Sequence, residues 1–301
     1  MNCPLCKTKN IKKLELLNKN TLNLLYKKMT NIDFSYLINE DINFCECKDC
    51  RLRFYDPLIT GDEKFYNALQ KFDWYYMDDK DEYFYAKRYI KPENSVLEVG
   101  SGKGAFAKHL ATKNYIGLDF SENAKKMAAE NGIHIENEMI QDYVIRHQEE
   151  FDVVCSFQVL EHVSDPKSFI EAKIKALKTG GKLIIAVPSE DSFLKYVNNG
   201  ILNMPPHHVT RWSDETFIFI AKKYNLSVES IYHEKVQKVH ELWYLNTLVN
   251  NVFSQNKLID VSLKQKVKGK IFDLISKVLI RGLKNEMLPN GHTVLVVYKK
   301  K

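Results

Sequence analysis

A short apolar strand that runs into a glycine-rich turn decides the fold; residues 96–104 read VLEVGSGKG. Glycine at such a turn lets the backbone approach a ligand closely, and a helix opens directly after it. Asp119 ends the next apolar stretch, 21 residues after Glu98. An acidic side chain at that point suits the two hydroxyls of a ribose. The pattern therefore predicts a ligand that carries a nucleoside.

Stretches typical of strands alternate with stretches typical of helices outward from this turn. Strands separated by helices of 10–15 residues form a parallel sheet with helices on both faces. We therefore predict an α/β protein with a doubly wound, mostly parallel sheet. Its seven predicted strands are residues 95–99, 115–119, 133–136, 151–157, 182–187, 226–232 and 293–298. The predicted helices within this part are residues 105–112, 121–131, 165–177 and one that begins at Ser213, before which Trp212 has the spacing of a hydrophobic staple with Phe217.

The glycine pattern alone leaves two cofactors open. Gly100, Gly102 and Ala105 also satisfy G-x-G-x-x-G/A, the dinucleotide fingerprint. Glu98 inside the strand and Gly104, which makes the loop G-x-G-x-G, favour S-adenosylmethionine over NAD. Sequence motifs further along the chain give stronger evidence for the choice of cofactor.

Four blocks together resemble the class I S-adenosylmethionine-dependent methyltransferases. They stand in the family's order, as residues 96–110 (VLEVGSGKGAFAKHL), 115–121 (YIGLDFS), 151–166 (FDVVCSFQVLEHVSDP) and 177–188 (LKTGGKLIIAVP). The resemblance covers about residues 92–232, with 293–298 as the last strand. It implies a methyltransferase enzyme that uses S-adenosylmethionine.

The resemblance also implies a set of cofactor contacts, carried over position by position. They are Glu98, Gly100, Ser101 and Gly102 for the methionine moiety, Asp119 for the ribose, Phe120, Met139 and Ile140 around the adenine, and Phe157 and Gln158 beside the sulfonium. Asp142 is an alternative to Met139 and Ile140.

Five of the six cysteines lie in the first fifty residues. Cys3 and Cys6 form one C-x2-C pair, and Cys47 and Cys50 form a second, 40 residues further on. Two such pairs predict a structural zinc ion held by four thiolates, with no open position for zinc chemistry. Zinc ribbons usually have about 15–20 residues between the pairs, so residues 11–40 are expected to be an insertion. A ribbon that has lost its metal and Cys45 as a ligand in place of Cys47 stay open.

The cysteine pairs and this core together resemble a subgroup of bacterial methyltransferases that act on sugars or other small molecules. That subgroup usually has glycine after the last ligand cysteine, where this chain has Arg51. The chain then divides into a zinc-binding module (1–60), an aromatic helical connector (61–91) and the methyltransferase domain (92–301) with a helical insertion (238–284). In the connector, Tyr75 and Tyr76 are candidates to close over the substrate; a helix that packs on the core is the alternative.

The loop after the fifth strand is the expected acceptor side, because ligands of open α/β sheets bind at the carboxyl ends of the strands. Residues 205–212 read PPHHVTRW. A neutral imidazole suits proton abstraction, so His208 or His207 is the predicted base, and Arg211 is expected to bind a phosphate or carboxylate. The pair could equally brace the next helix. His162 is the rival base, although Glu161-His162 more often brace the fourth strand in this family.

Composition excludes several classes of protein. Hydrophobic residues make up 45% of 301 residues, which is enough for a core, and no apolar run approaches the ~18 residues that span a bilayer. The amino terminus has no apolar signal segment, so a cytoplasmic location is expected. A net charge of +6 is too mild to indicate nucleic-acid binding.

The leading interpretation is O-methylation of a sugar or nucleotide-sugar in surface-polysaccharide or metabolite biosynthesis. An RNA methyltransferase with a zinc module and a non-catalytic binding protein are the alternatives. Residues 238–284 could form a homodimer interface, a lid or a membrane-surface contact.

Overall fold

The computed structural model describes residues 1–72, 78–253, 257–280 and 289–301, with strands and helices numbered here in chain order. Its larger sheet has seven strands. Their spatial order is β10 (Leu226–Lys235), β11 (Asn290–Lys300), β8 (Leu177–Pro188), β7 (Phe151–Phe157), β4 (Val96–Val99), β5 (Tyr115–Leu118) and β6 (Ile135–Glu136). The five strands from β8 to β6 run parallel, and β10 and β11 pair antiparallel at one edge. The predicted doubly wound, mostly parallel sheet is confirmed.

Successive side chains along the central strands point to opposite faces of the sheet, and each face has its own hydrophobic core. Leu97 and Val154 face one buried cluster, whereas Val96 and Val153 face the other. The described helices are α1 (Lys19–Thr30), α2 (Glu63–Leu69), α3 (Asp81–Ala86), α4 (Glu122–Glu130), α5 (Ile140–Tyr143), α6 (Pro166–Ala176), α7 (Asp214–Lys223), α8 (Glu241–Phe253) and α9 (Leu263–Leu279). None of the helices in the described ranges has the length and apolar character needed to cross a membrane.

Helix caps follow the sequence. Ser121 and Ser213 accept hydrogen bonds from backbone amides in the first turns of α4 and α7, and the ring of Trp212 stacks on Phe217 at 5.9 Å. The predicted helix over 105–112 is wrong, because the chain forms only one 3-10 turn, Phe106–His109. Phe106 is the one fully buried side chain of that turn, and short helices are stable only where an apolar face packs.

A second, smaller sheet holds the cysteine-rich segment against the rest of the chain. It consists of β1 (Ile11–Leu17), β2 (Ile42–Cys47), β3 (Arg53–Asp56) and β9 (Thr210–Arg211), all antiparallel. Strand β9 comes from the loop after β8. Leu5 and Leu52 belong to the same buried cluster as Leu97. This hydrophobic core therefore extends across the predicted boundary between the zinc-binding module (1–60) and the rest of the chain.

The insertion between the cysteine pairs packs on the loop that precedes the histidine pair. Helix α1 buries Tyr26, whose hydroxyl donates to the carbonyl oxygens of Ile201 at 2.6 Å and Met204 at 3.0 Å. Phe65 from α2 packs in the same cluster. Two segments that are distant in sequence thus support residues 201–204.

Candidate active site and metal centre

One cavity of about 1420 Å³ opens at the carboxyl ends of β4, β5, β7 and β8. Ligand cavities are commonly about 300–1000 Å³, so this one has room for a cofactor and an acceptor side by side. Gly100 and Asp119 line one half, and His162, His207 and His208 line the other.

The backbone conformation and the packing of the glycine loop both require glycine at position 100. Gly100 has a φ of +76°, and a Cβ built there would lie 2.4 Å from a methyl group of Val159. A larger residue would therefore be strained and would clash. The amides of Gly100 and Ser101 both donate to the carbonyl of Leu118, which fixes the turn against β5.

Asp119 is held in place by the same loop. Its two carboxylate oxygens accept hydrogen bonds from the amides of Gly102 and Ser121, each at 2.8 Å. Burial raises the pKa of this carboxyl, although the amide hydrogen bonds oppose the shift. The carboxylate lies on the cavity wall, as a ribose contact requires.

Two apolar side chains beside Asp119 are exposed into the cavity. Phe120 is 60% exposed and Met139 is 48% exposed, while Ile140 behind them is buried. Such exposed apolar surface fits the faces of a heterocyclic ring. Asp142, the alternative from the sequence, is not among the described residues that line the cavity.

Of the remaining predicted cofactor contacts, two line the wall of the cavity and one is buried in the interior of the protein. Phe157 and Gln158 line the cavity at the end of β7, and the Gln158 amide donates to a carboxylate oxygen of Glu82 at 3.2 Å. Glu98 is instead buried within the sheet and is not among the described residues that line the cavity. Its carboxylate accepts from the Tyr115 hydroxyl at 2.5 Å, and burial raises the pKa of Glu98 to about 8.

Three histidines that are separated in sequence meet on the acceptor side. His162 follows β7, and His207 and His208 belong to the loop after β8. The ring centroids of His162 lie 4.6 Å from His207 and 4.7 Å from His208, and the latter two rings stack at 4.4 Å. Tyr66 from α2 packs against His162 and His207. The sequence singled out each histidine but gave no sign that they converge or that Tyr66 supports them.

Nearby oxygen atoms indicate which ring nitrogen carries the proton. The Nδ1 atoms lie near oxygen acceptors: the His207 carbonyl for His162 (2.6 Å), the Leu202 carbonyl for His207 (2.8 Å) and the Asn203 side-chain oxygen for His208 (3.1 Å). Each Nδ1 therefore donates, and each Nε2 keeps a free lone pair in the neutral ring. Burial lowers the pKa of His162 to about 4 and that of His207 to about 3, and it lowers the pKa of His208 as well.

The side-chain carboxyl of Glu161 lies beside this cluster. One of its carboxylate oxygens is 3.8 Å from Nε2 of His162 and 3.9 Å from Nε2 of His208. Both oxygens are buried and find no partner in the part of the chain that the structure describes. Burial raises the pKa of Glu161 to about 8. A buried carboxyl without partners is costly, so it marks the site as chemically unusual.

Arg211 is engaged in a buried ion pair. Its Nε donates to Glu190 at 2.6 Å, and Glu190 also accepts from Arg53 at 2.5 Å. The guanidinium carbon lies 5.2 Å from the ring centre of Phe44. Arg211 reaches the cavity wall, but its charge is paired with Glu190, which also binds Arg53 of the neighbouring strand β3. Tyr75 and Tyr76 lie outside the described residues. Of the neighbouring aromatic run, Tyr83 packs on Phe106 and Phe157, as a core-packing helix would.

The four predicted cysteine ligands also converge. One Sγ distance is 3.5 Å between Cys3 and Cys50, and another is 3.5 Å between Cys6 and Cys47. All four sulfurs lie within 4.8 Å of one another. Cys45 is not in this group; its sulfur contacts Met1 instead.

The two C-x2-C turns have matching backbone geometry. The Cys6 amide approaches Cys3 Sγ and the Cys50 amide approaches Cys47 Sγ, both at 3.5 Å. The residue after each pair, Lys7 or Arg51, has a φ of 63°. This left-handed conformation explains the glycine usual at that point in the subgroup, and Arg51 adopts it while pairing with Glu46 and Glu215.

Comparison with known proteins places this site in a family. A family model described as a methyltransferase domain matches residues 69–231, just over half of the chain. A Salmonella newport ubiquinone biosynthesis O-methyltransferase is 30% identical over 147 residues, which cover 41% of this chain and 61% of that protein. An uncharacterized protein of Methanocaldococcus jannaschii is 41% identical over 108 residues, which cover 36% of this chain and 51% of that protein. The chain thus spans about half to three-fifths of the length of these relatives.

Solved structures with a similar fold are more distant in sequence. A SAM-dependent methyltransferase from Archaeoglobus fulgidus aligns with a TM-score of 0.47 at 18% identity, covering 72% of this chain and 90% of that one. The YcgJ protein of Bacillus aligns with a TM-score of 0.48 at 16% identity, covering 73% and 98%. The match to the family model shows that the chain belongs to the methyltransferase-domain family. The seven-stranded sheet of the chain is the class I S-adenosylmethionine-dependent fold.

Proposed function

We propose that the protein transfers a methyl group from S-adenosylmethionine to a hydroxyl oxygen of a small acceptor, a sugar or sugar-derived group. One observation carries the proposal. The cavity that holds the glycine loop and Asp119 also holds three imidazoles whose Nε2 lone pairs are free. A nucleoside site and proton acceptors therefore share one space.

The residues on the cofactor side fit S-adenosylmethionine. Asp119 is fixed by two amides in a position to bind ribose hydroxyls, and Phe120 and Met139 offer apolar faces for the adenine. Gly100 and Phe157 line the cavity where the methionine moiety and the sulfonium would bind. When bound, the cofactor supplies an electrophilic methyl group. The chain contributes alignment of the acceptor with that group, which is worth a large share of the barrier.

On the acceptor side we assign the proton transfer to the histidine cluster. His208 and His207 are the first candidates and His162 is the third, because all three line the cavity with an unprotonated Nε2. A hydroxyl that attacks a methyl group must lose its proton, and a positioned acceptor typically contributes about 10²–10⁴-fold to the rate.

The charge of the cavity wall supports an uncharged acceptor. Its described lining has eight acidic residues against three basic ones. Of the basic ones, Arg211 is paired with Glu190 and Lys103 with Asp78. Such a wall repels polyanions, so a neutral sugar hydroxyl fits better than RNA or a nucleotide-sugar phosphate.

We further propose a structural zinc ion at the cysteine cluster of Cys3, Cys6, Cys47 and Cys50. Four thiolates at ~2.3 Å from a tetrahedral ion lie about 3.8 Å apart. The two 3.5 Å sulfur pairs are close to that spacing. The amides that face Cys3 and Cys47 would stabilise the negative thiolates.

Labelling tests the proposed function. Purified protein is incubated with methyl-labelled S-adenosylmethionine and with fractionated sugars, phenols, glycans and RNA. The expected result is label in a sugar hydroxyl, with much less label from the Asp119→Ala variant at limiting cofactor concentration. Label in RNA would favour the alternative function. Cofactor binding with no label in any fraction would favour a binding protein.

A further inference from the structure

We propose that His162, His207 and His208, together with Glu161, form a binding site for a divalent transition-metal ion, distinct from the cysteine cluster. The site opens on the acceptor half of the cavity. Metal binding itself does not depend on the proposed function; only its consequence for the acceptor does.

The three ring nitrogens are arranged as metal ligands. One ring nitrogen from each histidine lies within 4.8 Å of the others. Because every Nδ1 is engaged with an oxygen acceptor, Nε2 is the nitrogen left for an ion. Metal-binding histidines in proteins show this same pattern, in which the second nitrogen donates to a carbonyl and fixes the ring.

The spacing leaves room for an ion. A point between three atoms no more than 4.8 Å apart lies at most roughly 2.8 Å from each of them, against ~2.0–2.1 Å for a zinc–imidazole bond. Each nitrogen would have to move inward by at most roughly 0.8 Å to reach bonding distance. Three protein ligands with one side open to a cavity is the arrangement of catalytic rather than structural sites.

Glu161 supplies the negative charge that three neutral imidazoles lack. Its carboxylate oxygen lies 3.8–3.9 Å from two of the Nε2 atoms and has no hydrogen-bond partner among the described residues. Neutral imidazoles cannot compensate this carboxylate, whereas a cation between them can. Imidazole ligands beside a carboxylate suit Zn²⁺, Fe²⁺ or Co²⁺ rather than Mg²⁺ or Ca²⁺.

The ion would change which group takes the acceptor proton. With the Nε2 lone pairs on the metal, the acceptor O–H bond breaks with its proton passing to Glu161. The oxygen electron pair then forms the bond to the methyl carbon as the carbon–sulfur bond breaks toward sulfur. A direct imidazole base and a metal ion are thus alternatives for the same lone pairs, and metal content decides between them.

Cobalt uptake tests the site. Protein that retains zinc in the cysteine cluster is dialysed against Co²⁺, which does not displace zinc readily, and cobalt is counted by mass spectrometry. The expected result is about one cobalt per chain with visible ligand-field absorption. His162→Ala and His208→Ala should weaken uptake by at least 100-fold, and Glu161→Gln by roughly 10- to 100-fold. His134→Ala, an exposed histidine elsewhere, should change nothing.

A second measurement avoids the variants, whose folding is checked by circular dichroism. In wild-type protein, bound Co²⁺ should shift the ring-proton resonances of three of the nine histidines. No cobalt beyond the cysteine site, or equal uptake by the folded histidine variants, would overturn the proposal. Binding of S-adenosylmethionine to the metal-free form, measured by calorimetry, tests the proposed function separately.

Discussion

The cysteine cluster and the histidine cluster are assembled in opposite ways. The cysteines come from two similar turns, each closed by an amide that faces a sulfur, and three of the four side chains are fully buried. The histidines come from two dissimilar loops and line a cavity, beside a carboxyl that has no hydrogen-bond partner among the described residues. Backbone amides support the first cluster, while the second borders a cavity large enough for a ligand. The contrast separates a site that holds the fold from a site suited to chemistry.

Removing a cysteine ligand should have the largest effect. Cys3→Ser or Cys47→Ser should abolish zinc binding, and structural zinc is worth about 10–16 kcal/mol in small zinc domains. Because the cluster shares a core with Leu97 and Trp212, thermal unfolding and cofactor binding should both be affected. Zinc analysis and thermal denaturation measure this. An unchanged melting temperature after zinc loss would contradict the structural role.

Changing the histidine cluster should affect turnover rather than folding. Replacement of His208 or His207 by Ala is expected to lower turnover by ~100-fold or more. Affinity for S-adenosylmethionine should change little, because the glycine loop is untouched, and the cysteine zinc should remain. Steady-state kinetics with calorimetry separates the two effects. Normal turnover in both single variants and in the double variant would reduce the pair to structural braces.

Asp119→Ala probes the cofactor half of the cavity, away from the histidine cluster. Loss of a charge-assisted hydrogen bond costs ~1.5–3 kcal/mol, so cofactor affinity should fall roughly ten- to a hundredfold. Metal content at both clusters should be unchanged. The matched control is Glu98→Gln, because Glu98 is buried behind the loop; its effect on affinity should be much smaller. Equal losses in the two variants, measured by calorimetry, would argue against Asp119 as the ribose contact.

Lys173 tests whether burial alone makes a polar group functional. It is fully buried, its Nζ donates to Ser156 at 2.5 Å, and burial lowers the pKa of Lys173 to about 7. The unfolded chain binds this proton up to a pKa near 10.5, so the contribution of Lys173 to the free energy of unfolding should rise with pH above about 7. That contribution should be roughly 1 kcal/mol between pH 7.5 and 8.5. The buried carboxyls of Glu98 and Glu161, whose pKa values are raised, act with the opposite sign.

Lys173→Met should remove this contribution, so that stability rises less or falls more with pH than in the wild type, without changing turnover. Urea unfolding at the two pH values measures the stability difference. The same slope in wild type and variant would show that another group causes it.

Features set by neighbouring residues were predicted from the sequence far better than contacts between distant residues. The caps at Ser121 and Ser213 depend on neighbouring residues, and the cysteine spacing carries its own geometry. The meeting of His162 with His207, 45 residues later, depends on how β9 pairs with β3 and how Tyr26 packs. Those contacts join segments that no short pattern relates. The 3-10 turn after the glycine loop was missed for a similar reason, since its length is set by what Phe106 packs against.

The pinning of the long connection after β8 has a consequence for ligand binding. Residues 189–213 connect β8 to α7. Tyr26 anchors this connection at Ile201 and Met204, and β3 anchors it at Thr210. An unanchored connection of this length would lose substantial conformational freedom each time an acceptor bound. Here that entropy is lost once, during folding. The acceptor should therefore meet rings that are already oriented, and selectivity among acceptors should follow shape complementarity rather than loop closure.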